Sequence, residues 1–285
     1  MIYSRIRGGL GNQLFQYCMA RSLADKLGTS LGLDIKEFNQ SSPYLMGLKN
    51  FNIRADFNPP NMIKHKEDGF IKYIIDNICG KHRYVYKEPH LSFDKNFTLL
   101  PNNSYLKGYW QSEKYFKNNK TNILNDLSII KEQSFQNKKI SEQISNTVSV
   151  SLHIRRGDYI SNSAYNSSHG TCSLTYYKNA VSYLANNIGK NFTIFAFSDD
   201  PEWVYSNLKL PVDICFVNNN SPEDCYEDLR LMSECDHNII ANSSFSWWGA
   251  WLNTNKNKTV IAPSKWYADQ NIKNIDIIPQ DWNKI

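Results

Sequence analysis

Nothing in this sequence asks for a covalent or metal staple. Six cysteines stand at positions 18, 79, 172, 215, 225 and 235, and no two have the two-residue gap of a zinc or redox motif. That pattern sets aside a disulfide framework and predicts free, mostly buried thiols in a reducing compartment. Also missing is any run approaching about 18 uncharged apolar residues, so no membrane span is expected. Met1 to Gln13 holds no apolar stretch before a small-residue cleavage site, so no secretory leader is expected. Charge of one sign is scarce. The net charge is +5, from 32 Lys and Arg against 27 Asp and Glu. This is too mild to coat nucleic acid, and it fits a small anionic ligand or a light pull toward anionic lipid. Asn-x-Ser/Thr triplets, such as those at Asn96 and Asn242, read as accidents of an Asn-rich chain. The whole predicts a soluble cytoplasmic protein.

What is present is a globular composition. The 285 residues are 41% hydrophobic and 21% charged, too apolar for disorder and long enough for one large α/β domain or two smaller ones. Aromatics reach 13%, a load that a packed core explains and that sugar binding would also use.

The first 35 residues read as strand, loop, helix, strand. Ile2 to Ile6 alternate in the β sense, Gly8 to Asn12 turn, and an amphipathic helix runs from Gln13 with Leu14, Phe15, Cys18, Met19, Leu23 and Leu27 on its apolar face. Gly28 caps it, and Leu31 to Ile35 form the next strand. Residues 36–110 give no clear elements, and residues 117–147 read as a helical connector between two halves. From Val148 onward strands and helices alternate through Val260 to Ala262, which predicts a doubly wound parallel sheet. The chain then divides into an N-terminal region over 1–147 and a C-terminal Rossmann-like domain over 148–285.

Three dense motifs fall at strand carboxyl ends, where such sheets bind ligands. The first is His153-Ile154-Arg155-Arg156-Gly157-Asp158-Tyr159. A guanidinium fork can take two phosphate oxygens at once, Gly157 allows a tight turn, and Asp158 can fix an arginine or accept a proton. A surface Arg–Asp pair beside a turn is the plainer account. The second is Asn242 to Trp251, where serines open a helix whose free N–H groups suit an anion, although N-capping by serine is common. The third is Ser198-Asp199-Asp200, where a carboxylate can accept the N–H edge of guanine, bind a metal with help from elsewhere, or cap a helix. The loop from Gly8 to Gln13 has the first two glycines of a dinucleotide fingerprint, but Leu14 occupies the third position. Asp34 keeps a weak dinucleotide reading open. Asn12 and Gln13 would rather offer amides to a ligand.

Taken in order, Gly8 to Gln16, His153 to Tyr159, Phe197 to Asp200 and Ala241 to Gly249 resemble the bacterial α-1,2-fucosyltransferases of glycosyltransferase family 11. Lys107 to Ser112 and His169 to Leu174 are similar to family segments too. The resemblance implies a GT-B-type fold, two Rossmann-like halves facing a cleft, and no metal or other cofactor. It implies transfer of L-fucose from GDP-fucose to the 2-hydroxyl of a galactose-terminated glycan, free or lipid-linked, with inversion. By the same resemblance Arg155 grips the β-phosphate and His153 sits beside the nucleotide. Asp199 or Asp200 reads guanine, and Ser243, Ser244, Phe245 and Ser246 hold the pyrophosphate. Asn12 faces the donor from the N-terminal loop. The chemistry agrees: a leaving diphosphate needs cations and a helix N-terminus where its charge grows. Asp158 is the first choice of base and His153 the second. Basic residues such as Lys64, Lys66, Lys138 and Lys139 read as solvated surface able to hold the enzyme at an anionic membrane. An NAD(P)-dependent oxidoreductase using the N-terminal glycines is the alternative, and a non-catalytic carbohydrate-binding protein the third.

Overall fold

The computed structural model describes residues 1–39, 42–59, 84–157, 160 and 163–285. The chain forms two compact units, Met1–Ser128 with Asn274–Ile277 and Ile129–Lys273 with Ile278–Ile285.

The first unit is built on β1 (Ile2–Arg5), α1 (Leu10–Lys26), β2 (Leu31–Asp34), β3 (Asp56–Phe57), β4 (Tyr84–Lys87), β5 (Ser104–Lys107) and α2 (Lys120–Asp126). Its strands lie in the order β3-β2-β1-β5-β4, with every neighbouring pair parallel. The sequence starts the first helix at Gln13, yet α1 begins at Leu10. Gly8 makes the turn alone at φ +77 and Gly9 is the extended N-cap, so Gly11 and Asn12 fall in the first helical turn. Nor is α1 amphipathic, because Tyr17, Ala20, Ala24 and even Gln13 and Gln16 are buried with its apolar residues. The two glutamines are tolerated because backbone satisfies them. Gln13 donates to the carbonyls of Gly8 and Leu45, each at 2.8 Å, and accepts from Gly47 N at 2.9 Å. Gln16 accepts from Arg7 N at 2.8 Å. The Gln13 amide is therefore spent on the loop and does not serve a ligand.

The second unit runs α3 (Phe135–Ser145), β6 (Ser149–Ile154), α4 (Ser163–His169), α5 (Leu174–Ile188), β7 (Thr193–Ser198), α6 (Pro201–Asn207), β8 (Asp213–Val217), α7 (Cys225–Glu234), β9 (His237–Ile239), α8 (Ser244–Leu252), β10 (Val260–Ala262) and β11 (Asn283–Lys284). Its sheet, ordered β11-β10-β9-β6-β7-β8, is parallel throughout. Alternation along β7 shows why it is doubly wound. Ile194 and Ala196 join Tyr177, Val181 and Leu184 of α5 on one face. Phe195 and Phe197 join Ile144 of α3 and Leu231 and Met232 of α7 on the other. The helix read as a connector is thus a wall of the second unit, since the burial of Ile144 ties α3 to that core. The two-residue strand β11 escapes sequence reading because no periodicity can show in so short a stretch.

From β6 the chain steps outward through β7 and β8, then returns to lay β9 on the opposite flank of β6. The strand order reverses between β6 and β9, and their carboxyl ends flank the crevice where open α/β sheets bind ligands.

Candidate active site

Pairing between β6 and β7 sets the geometry. Ile154 lies opposite Ser198, so Arg155 and Asp199 emerge side by side. Arg155 Nη1 sits 2.9 Å from Asp199 Oδ2, and Arg156 N donates to Asp199 Oδ1 at 2.8 Å. Arg156 turns away, donating from Nε to Asp200 Oδ2 at 3.2 Å and stacking its guanidinium 3.5 Å over the Trp203 ring. The adjacent arginines therefore do different work. Arg156 is a structural clamp between two strand ends, and Arg155 is oriented by Asp199 with its side chain partly exposed.

Asp199 holds the turn, and Asp200 is the N-cap of α6, accepting from Trp203 N at 3.4 Å. Both carboxylates are thus engaged by arginines and backbone. The cause is the register of β6 and β7, which the sequence does not display. Gly157 completes the turn under tight constraint, since a Cβ there would lie 2.7 Å from Asp199 Oδ2. Gly157→Ala is expected to push Asp199 off Arg155 and lower kcat/KM roughly tenfold with little change in Tm. Steady-state kinetics with circular dichroism checks this, and wild-type kinetics would show that the turn has slack.

His153 lies inside β6, 4% exposed, with its ring 5.7 Å from that of Phe245. Its Nδ1 is buried without a hydrogen-bond partner among the described residues. Burial drives its pKa down to about 4; Asp199 opposes the shift and Arg155 adds to it. The imidazole is neutral near pH 7, a hydrogen-bonding group and a weak base. Asp158 lies outside the described residues, as do Lys64 and Lys66.

Across the strand reversal, β9 leads to Asn242 and the start of α8. Ser243 Oγ caps the helix by accepting from Phe245 N at 3.3 Å, and Ser246 Oγ donates to Ser243 O at 3.3 Å. These two hydroxyls are committed to the cap. An anion at Ser243 to Ser246 would therefore have to be met by first-turn N–H groups and the helix dipole. Trp247 and Trp248 are fully buried against each other, with Trp251 packed on both, so the tryptophan pair is core.

Sequence reasoning gave Asn242 no role. Its Nδ2 donates to the carbonyls of His169 at 3.0 Å, Gly170 at 3.1 Å and Trp266 at 3.2 Å, tying two loops to the end of β9. A second omission is Asp228, at the start of α7 beyond the carboxyl end of β8. Burial lifts its carboxyl to about 7, although Asn220 Nδ2 donates to it at 2.7 Å and pulls the other way. Neither has a sequence signature, because what distinguishes each is its folded surroundings.

In the first unit Asn12 accepts at Oδ1 from Gln111 Nε2 at 2.8 Å. Asp34, which the dinucleotide reading needs for a ribose, accepts from the Tyr105 hydroxyl at 2.6 Å.

The glycosyl transferase family 11 model matches residues 51–285. The chain belongs to that family. Relatives agree over the full length. An alpha-1,2-colitosyltransferase of Escherichia coli is 33% identical, covering 100% of this chain and 99% of its own. The O-antigen biosynthesis glycosyltransferase WbnK of Escherichia coli is 36% identical, covering 95% and 96%. Among solved structures, POFUT1 in complex with GDP-fucose superposes with a TM-score of 0.50 at 14% identity, over 91% of this chain and 96% of that one. The two parallel α/β units are thus Rossmann-like halves of a GT-B-type fold, as expected. This family 11 protein is a glycosyltransferase, which displaces both the oxidoreductase and the non-catalytic readings. No helix among its described residues is long and apolar enough to cross a membrane.

Proposed function

We propose that this glycosyltransferase moves L-fucose from GDP-fucose to the 2-hydroxyl of a galactose-terminated glycan, inverting the anomeric centre. The observation that carries the reading is Arg155, oriented by Asp199 at 2.9 Å at one lip of a strand reversal whose other lip is the α8 N-terminus. Departure of GDP builds negative charge on the β-phosphate, and a fixed guanidinium with a row of N–H groups meets it without reorganisation. Ser243, Ser244, Phe245 and Ser246 supply that row, His153 contributes a neutral hydrogen bond beside the nucleotide, and Asn12 adds an amide. Asp199 and Asp200 act through the arginines. Asp158 is the proposed base, because an imidazole whose pKa is pushed to about 4 draws a proton weakly.

Metal independence belongs to the same proposal. Its support is that Arg155 and Arg156 engage the adjacent carboxylates of Asp199 and Asp200, which leaves the cationic role to arginine. Incubation with GDP-fucose and a panel of galactose-terminated acceptors, with and without chelator, is expected to release GDP equally in both arms. A fucosylated product by mass spectrometry confirms the transfer, and loss of turnover with chelator would refute the metal-free route.

A second reading keeps the chemistry and changes the sugar. The 33% identical relative is named a colitosyltransferase, so a nucleotide-linked colitose competes as donor. Paired kcat/KM values for the two sugar nucleotides decide between them. The acceptor is proposed to be an O-antigen-type glycan on a lipid carrier, met at the cytoplasmic face of a membrane.

A further inference from the structure

In the first unit the strand order reverses between β1 and β5, and the loop leaving β5 holds a backbone outlier. Trp110, fully buried, sits at φ +57, a left-handed conformation that a bulky aromatic adopts only when its surroundings compel it. The surroundings are visible. Glu88, just past β4, accepts from Tyr109 N at 2.7 Å and from Trp110 N at 2.9 Å. The Trp110 ring stacks on Tyr86 at 5.9 Å and 10°. Gly108 lets the two strand ends close up, since a Cβ there would come 2.4 Å from Glu88 Cβ. The indole Nε1 is buried with no hydrogen-bond partner among the described residues, so the conformation does not serve an indole hydrogen bond.

What the turn achieves is the placement of the next residue. Gln111 Nε2 donates to Asn12 Oδ1 at 2.8 Å, and Asn274 Nδ2 donates to the Gln111 carbonyl at 3.2 Å. On the other side of Asn12, Gly8 leaves room, since a Cβ at Gly8 would lie 3.0 Å from Asn12 Nδ2. We infer that the Trp110 turn exists to deliver Gln111, a positioning residue that holds the Asn12 oxygen so that the Asn12 amide N–H groups face the ligand. The ligand atom recognised is an oxygen of the sugar nucleotide, so the inference rests on the proposed donor role of Asn12. Fixing one amide rotamer converts a group with interchangeable ends into a dedicated donor.

The decisive variant is Gln111→Glu. Its carboxylate can only accept, so Asn12 must turn its N–H groups toward residue 111 and offer its oxygen to the ligand. The expected result is a roughly tenfold to hundredfold fall in kcat, matched by Asn12→Asp, which keeps the bond from Gln111 but has no N–H to offer. In an Asn12→Ala background Gln111→Glu is expected to cost nothing further, because its effect passes through Asn12. Gln111→Met, which cannot bond to Asn12 at all, serves if the charged variant folds poorly, and its single and paired costs are read the same way. Wild-type kcat for these Gln111 variants, or a loss undiminished in the Asn12→Ala background, overturns the inference. Wild-type kcat for Asn12→Ala alone would instead remove the donor role of Asn12, and with it the premise.

Discussion

Arg155→Ala is expected to lower kcat/KM for the sugar nucleotide roughly a hundredfold to a thousandfold, the usual cost of removing one fixed donor to developing charge. Folding should survive, because the structural share of this turn falls to its neighbour. Arg156 bonds to Asp200 and stacks on Trp203, while its backbone N–H holds Asp199. Arg155→Lys separates charge from geometry. A lysine restores a point charge without the planar fork, so partial recovery would show that orientation by Asp199 matters as well as sign. Turnover of Arg155→Ala equal to wild type, with GDP-fucose and a galactose acceptor, would remove Arg155 from the mechanism.

A second large effect is on stability as pH falls. The unfolded chain protonates His153 at the ordinary 6.5, while the folded protein resists until about 4. Between these values the unfolded state binds more protons, so stability is full above pH 6.5, declines as pH drops, and levels off below about 4. The difference of roughly 2.5 pH units corresponds to about 3 kcal/mol at 1.36 kcal/mol per unit. Denaturant melts of wild type and His153→Gln across pH 4 to 7 measure it, the variant losing that part of the slope. Parallel curves for the two proteins would mean that the imidazole is less isolated than its burial implies.

Much of this was legible beforehand, for physical reasons. In the second unit the alternation of strands and helices from Val148 is found, and the expected last run, Val260 to Ala262, is β10, because strands covered on both faces read as apolar runs and helices announce themselves through caps such as Asp200. The motif at Arg155 is visible because two adjacent arginines beyond a buried strand are unusual for packing alone. The division of labour between them is not. It follows from the register of Ile154 with Ser198, a long-range fact that sets Asp199 beside Arg155. The first helix starts three residues before the expected Gln13 because Gly8, at positive φ, makes the turn expected of the five residues Gly8 to Asn12. Gln111 and Asn242 carry no local signal, since their meaning lies wholly in what each touches.

The division of the chain into units also bears on how the protein can be taken apart. Asn274–Ile277 belongs with the first unit, while the residues on either side of it belong with the second. Within that short stretch Asp276 accepts from Phe93 N at 2.8 Å and pairs with Lys114. Beyond it, Ile285 N donates to Ala262 O at 3.0 Å and Ser264 N to Ile285 O at 2.8 Å, extending the edge of the second sheet. The polypeptide is thus sewn through its halves twice, and no single cut yields two whole pieces. A break after Lys273 strips an anchor from one half and an edge strand from the other. Shuffling halves between relatives, a natural route to new donor and acceptor pairings, would have to exchange the last dozen residues piecewise.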